Sequence, residues 1–186
     1  MKLIGLAGRA RSGKDTVAHY LVEHYGFKQL AFAEHLKNVA EVAGWDGLKD
    51  IRGRILLQEL GDVLRHYDGG IFINALIGKM KYYDMLSQGF GTITTPPRDA
   101  RIVVSDVRLP SEIEALKNLG GSIWYIQRNV EGMEKVPAHI TETLNPDSYK
   151  FDYVFDNSNS FQALYSGVDM AAKEVLNARE KENKNG

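Results

Sequence analysis

The chain has 186 residues, 44 % apolar and 25 % charged, an ordinary balance for a globular domain with a sizeable core. Its net charge of −1 creates no field that would gather DNA or another polyanion, so any anion site has to be local. There is no cysteine, which excludes disulfides, zinc–thiolate centres and thiol nucleophiles, and no apolar run nears the roughly 20 residues that span a bilayer.

The first apolar stretch, Lys2–Ala7, reads as a short buried strand. It runs directly into "GRARSGKDT" at 8–16, so it is not read as a secretion signal, and a cytoplasmic location is expected (a host's cytoplasm if the chain is viral). A helix is predicted over Asp15–Tyr25, with Val17, Ala18, Leu21, Val22 and Tyr25 on one face. A second strand is expected in 27–33. A helix carrying Leu36, Val39, Ala40 and Ala43 follows, ended by Gly44.

Residues 45–53, "WDGLKDIRG", read as a loop. Leu56, Leu57, Leu60, Val63, Leu64 and Tyr67 then mark an amphipathic helix, and another helix is expected over 71–86. A glycine- and proline-bearing connection (87–100) leads to the strand "RIVVSD" at 101–106. Pro110 opens the next helix, where its missing N–H costs nothing, and the glycines at 120–121 stop it. Strands are expected at 122–127 and within 153–157. Ser160 caps a last helix, and the polar tail 179–186 is expected to fray. Strands alternating with helices imply a mostly parallel sheet covered on both faces, with ligands at the carboxyl ends of its strands.

The segment 8–16 lies at such an end. It follows the spacing G-x-x-x-x-G-K, in which glycines let backbone N–H groups curl around phosphate and the next helix adds its positive end. Gly8, Arg11, Ser12, Gly13, Lys14, Asp15 and Thr16 are therefore the expected nucleotide-binding residues, with Lys14 as a charge for the β and γ phosphates. The residue after the lysine is Asp15, and the hydroxyl comes one step later at Thr16. Adenylate-kinase-like enzymes place a threonine similarly, in "GKGT". The variant moves weight from GTPases and motor ATPases toward small-molecule kinases. Asp15 and Thr16 are expected on the magnesium side, together with Asp106 at the end of "VVSD", which resembles a Walker-B strand. Arg108 and Arg128 are candidates to offset charge on the transferred group.

A phosphoryl acceptor needs its own pocket. Arg54, Gln58, Asp62 and Arg65 recur at steps of four, four and three, forming a polar stripe opposite the leucines. Guanidinium forks on that stripe suit a phosphate dianion. The same spacing also fits a merely solvated helix face. Lys37 and Trp45 fall in the same stretch; Lys37 could meet phosphate and Trp45 a base, though a structural indole fits as well. His139 and Glu142, three apart, are further substrate-side candidates, or a hydrogen-bonded pair that holds a loop.

"GRARSGKDTVAHYL", "FAEHLK", "GWDGLKDIRGRILLQELGDVLR", "VVSDVRLPSEIEALKNLGG", "HITETL" and "FDYVFDN" occur here in this order. In that respect the chain resembles the deoxynucleoside monophosphate kinases of bacteriophages and their bacterial relatives, over nearly all of residues 3–176. The phosphate loop is shared widely; "RILLQELG", "SDVRLPSEIEAL" and "HITET" are the specific parts. The resemblance implies an α/β P-loop NTPase fold: a five-stranded, mostly parallel sheet flanked by helices in a single domain over 1–178. It further implies an acceptor-binding helical insert at about 34–87 and a lid at about 128–146. The activity implied is ATP- and Mg²⁺-dependent phosphorylation of (deoxy)nucleoside monophosphates, with neither nucleic acid nor membrane as partner and a homodimer left open. The sequence departs from the commoner family spelling at "EHLK" and "LPS", neither of which alters a charge given a role above. A kinase of another small phosphorylated acceptor (dephospho-coenzyme A or phosphomevalonate) and a nucleotide-binding regulatory protein are the alternatives.

Overall fold

The computed structural model describes residues 1–87, 100–128 and 149–177. The lid expected near 128–146, apart from Arg128, lies outside them, as do His139, Glu142 and the tail from 178. The chain divides into two compact units, one of Met1–Gln29 with Asp99–Gly186 and the other of Leu30–Arg98.

Apart from Leu30, the first unit holds a five-stranded parallel sheet. Its strands are β1 (Lys2–Ala7), β2 (Lys28–Leu30), β3 (Arg101–Val107), β4 (Ser122–Gln127) and β5 (Tyr153–Asp156), in the spatial order β2-β3-β1-β4-β5. β1 lies between β3 and β4, in parallel with both, and all six of its residues are buried. A strand enclosed on both faces has to be continuously apolar, which "LIGLA" is. The helices of this unit are α1 (Lys14–Tyr25), α5 (Pro110–Asn118) and α6 (Phe161–Asn177). α1 and α6 join one core with the sheet: Val17, Leu21, Leu164, Val168 and Ala172 pack with Ile4, Leu6, Trp124 and Ile126. On the other face Gly5 leaves room for α5, since a Cβ there would lie 2.7 Å from the Leu116 side chain.

Ser160 does open α6, its hydroxyl accepting from the Ala163 N–H at 3.3 Å. Pro110 opens α5, and the Glu112 carboxylate accepts the N–H groups of Arg108 (2.7 Å) and Leu109 (3.0 Å). Glu112 is buried, so the turn bearing Arg108 is fixed from beneath.

The second unit contains α2 (Ala33–Val42), α3 (Ile51–Tyr67) and α4 (Ile71–Ser87). Phe72, Leu76 and Met80, at steps of four, form the buried row of α4. Leu36 and Ala40 are the buried residues of α2. Here two expectations change. α3 begins at Ile51, inside the stretch expected to be a loop, because the Asp50 carboxylate caps it by accepting from Gly53 N–H at 2.8 Å. Its buried residues are Gly53 and Gly61, while Leu56, Val63 and Tyr67 are exposed. Close approach decides which face is covered: a Cβ on Gly61 would lie 3.3 Å from Leu36, and one on Gly53 only 2.0 Å from the Leu48 carbonyl. The leucines are therefore not one buried stripe.

Candidate active site

The loop 8–13 joins the carboxyl end of β1 to the start of α1, and its course depends on unusual backbone angles. Gly8 has φ 140° and Gly13 φ 104°. Arg11, at φ 62°, is the positive-φ residue other than glycine among the described residues. Both glycines are also hemmed in. A Cβ on Gly8 would lie 2.2 Å from the Ile126 carbonyl oxygen, and one on Gly13 would lie 2.3 Å from the Asn157 Nδ2. The two positions that the spacing pattern reserves for glycine are those where a side chain cannot fit.

Gly13 caps α1 without any side-chain acceptor. The loop thus leads into the positive end of a twelve-residue helix. Lys14 is buried, and its ammonium donates to the carbonyls of Gly8 and Arg9, both at 2.7 Å. The charge is thus held over the loop by main-chain oxygens. The Ser12 hydroxyl is buried and has no hydrogen-bond partner. An orphaned polar group of this kind costs free energy until something completes it.

A cavity of about 240 Å³ opens beside the loop. Its lining brings together Arg11, Gly13, Lys14, Asp15, Thr16 and Arg128, all singled out from the sequence. Asp15 and Arg128 are exposed and Thr16 is half-buried. Two more lining residues, Asn157 and Phe161, escaped the sequence reading. Asn157 is buried, donates through Nδ2 to the Ser12 carbonyl (2.9 Å) and through its N–H to Gln127 O (2.8 Å). It ties the loop to the end of β4. The "FDN" at the end of β5 was the available signal, but only the sheet order shows that β5 reaches this loop through β4.

Asp106 is half-buried near the carboxyl end of β3, beside the last residue of β1: Ala7 pairs with Val107. Neither Asp106 nor Arg108 lines the cavity. Among the described residues no group of three or more histidine, aspartate or glutamate side chains could hold a metal unaided.

The acceptor candidates fall in the second unit. Lys37 is half-buried on α2. Trp45 follows α2, and its indole N–H donates to Leu48 O at 3.1 Å, closing the turn before α3. Arg54 and Gln58 are exposed on α3, with Arg54 Nε donating to Lys49 O at 3.0 Å. Arg65 differs from the rest of the stripe. It is half-buried, donates to Asp62 at 3.2 Å, and lies with Cζ 5.0 Å from the centre of the Phe72 ring. Its Nε is buried with no partner.

No family model matches the chain. A protein of Acanthamoeba polyphaga mimivirus, provisionally described as a deoxynucleotide monophosphate kinase, is 28 % identical across 90 % of this chain and 94 % of its own length. ORF77 of Ictalurid herpesvirus 1, uncharacterised, is 29 % identical over 67 % of this chain and half of its own. Among solved structures, dephospho-CoA kinase of Campylobacter jejuni superposes with a TM-score of 0.57, covering 96 % of this chain and 98 % of that one at 14 % identity. TT1252 of Thermus thermophilus gives 0.51, covering 92 % and 96 % at 16 % identity. The chain thus has the P-loop kinase fold, and the resemblance to deoxynucleoside monophosphate kinases carried by its motifs is matched by a relative of that description along nearly its full length.

Proposed function

We propose that the protein moves the γ-phosphoryl group of ATP to a nucleoside or deoxynucleoside monophosphate. The observation that carries this reading is the loop: the positive start of α1, the Lys14 ammonium and the orphaned Ser12 hydroxyl in one turn, beside a cavity edged by Arg11 and Arg128. A chain of phosphates offers oxygens for each of these groups. Phosphoryl transfer asks little covalent chemistry of a protein; it asks for alignment and charge compensation. Lys14 follows the β and γ phosphates, and Arg108 and Arg128 offset charge on the group in flight. Asp15, Thr16 and Asp106 are the residues that would hold magnesium, which would supply further neutralisation of the phosphates.

On the acceptor side Arg65 is the chief residue. Asp62 and Phe72 already orient its guanidinium, and its unpartnered Nε has a donor to give. A planar fork suits a phosphate dianion better than a point charge does. Arg54 and Lys37 assist, and Gln58 and Trp45 contact the nucleoside. The description of the mimivirus relative supports this acceptor class. The test is to incubate the protein with ATP–Mg²⁺ and, in separate reactions, each common ribo- and deoxyribonucleoside monophosphate and dephospho-coenzyme A, then resolve the products. A diphosphate formed mole for mole with ADP supports the reading. Phosphorylation of dephospho-coenzyme A alone, or ADP and inorganic phosphate alone, contradicts it.

A further inference from the structure

Phe161 is the first residue of α6 and is 57 % exposed, yet it lines the same cavity as Gly13, Lys14 and Thr16. Scattered exposed apolar residues are ordinary on a protein surface. This one is not scattered. Its ring stacks on Tyr165 (centroids 6.1 Å, interplanar 20°), and Tyr165 stacks on Tyr20 (4.2 Å, 7°). Tyr20 is anchored in turn, its hydroxyl donating to Asp169 at 2.9 Å, where Tyr25 donates at 2.7 Å. The result is an aromatic ladder, fastened at its inner end to α1 and α6, whose outermost rung is an exposed ring at the rim of a charged cavity. Asn157, four residues before Phe161, holds the Ser12 carbonyl, so one short segment fixes both the phosphate loop and the ring.

We infer that Phe161 carries the purine ring of the donor nucleotide, an inference that rests on the donor reading proposed above. The cations of the cavity, Arg11, Lys14 and Arg128, call for phosphate. The ring calls for a flat π-system. A nucleoside polyphosphate is the class of ligand that joins the two. A platform already seated on Tyr165 needs little ordering when a base arrives, so more of the stacking energy reaches the complex. Stacking tolerates any base, because each has a π-face, and it favours purines over pyrimidines through their larger area.

The test is calorimetric titration of MgATP, MgCTP and inorganic tripolyphosphate into the full-length protein, its Phe161→Leu variant and its Phe161→Trp variant. Leucine keeps apolar contact with Tyr165 but removes the ring face. The Leu variant is expected to bind ATP about tenfold more weakly, lose less affinity for CTP, and bind tripolyphosphate like the wild type. The Trp variant should keep the ATP affinity and show a tryptophan emission change with ATP that tripolyphosphate does not cause. Unaltered ATP binding by the Leu variant overturns the inference and leaves the donor site standing. Equal losses for ATP and tripolyphosphate also overturn it, since they mark a distorted loop and not a lost platform. A wild type that binds neither ligand overturns the donor reading and this inference together.

Discussion

The phosphate loop and helix α3 both present a cation, but they hold it by different means. Lys14 is held by backbone: two carbonyl oxygens at 2.7 Å, in a turn that two positive-φ glycines and Asn157 allow only one course. Arg65 is held by side chains, Asp62 beside it and Phe72 beneath it. A site made of backbone needs particular residues at fixed spacing, and a sequence displays such spacing openly. A site made of side chains on a helix leaves only a periodicity, which every solvated face shares.

The comparison breaks first at the loop. Lys14→Met keeps the aliphatic stem and removes the charge. By analogy with the loss of one transition-state donor, kcat is expected to fall about 10²–10³-fold, with far-ultraviolet circular dichroism unchanged. Near wild-type turnover by a folded variant would remove Lys14 from the chemistry. The helix comes next. Arg65→Lys retains the charge but loses the fork and its seat on Phe72, so the acceptor KM should rise about 10–100-fold while the ATP KM stays put. Initial rates with each substrate varied in turn decide this, and unchanged acceptor kinetics would return the stripe to solvent.

Asn157→Leu sharpens the contrast, because it acts on the loop from outside. The Ser12 carbonyl loses its donor, and the ATP KM is expected to rise about tenfold, with acceptor KM unaffected. An unchanged ATP KM would show that the glycines alone hold the loop. The smallest effect belongs to the far end of the ladder. Hydrogen bonds from Tyr25 and Tyr20, against a smaller opposing effect of desolvation, hold the Asp169 carboxyl below its ordinary value; the Tyr25 hydroxyl, by desolvation and then by Asp169, is pushed up to about 12. A carboxylate depressed in the folded state stabilises above its unfolded pKa near 3.9, and that stability is lost as pH falls through the lower folded value. Asp169→Asn should therefore cost no more than about 1 kcal/mol at neutral pH. It should also flatten the acid limb of a stability profile measured by denaturant melts between pH 3 and 7. A profile identical to the wild type would show the carboxylate to be idle.

Most of the sheet could be read directly from the sequence. Lys2–Ala7 and Ser122–Gln127 match their predicted limits because buried parallel strands are plainly apolar. β2 is limited to Lys28–Leu30, since the chain turns helical at Ala33. α3 misled more seriously. Gly53 looked like a breaker, yet it lies in the first turn of the helix, where only glycine clears Leu48 O. The loop residues from Gly8 to Thr16 were legible because their rules are local. Asn157 and Phe161 were not, because they reach the loop across two neighbouring strands, a relation that spacing along the chain does not record. Phe72 beneath Arg65 was equally hidden, being on the next helix.

Transfer of the γ-phosphoryl group to a nucleoside monophosphate can be followed directly. Its most direct test follows γ-³²P-labelled ATP mixed with excess protein and a panel of deoxynucleoside monophosphates, quenched through a single turnover, in the wild type and in Lys14→Met. Label is expected in a deoxynucleoside diphosphate, appearing as ATP disappears and slowed about 10²–10³-fold by the substitution. Label released only as inorganic phosphate, or equally fast in both proteins, would contradict it.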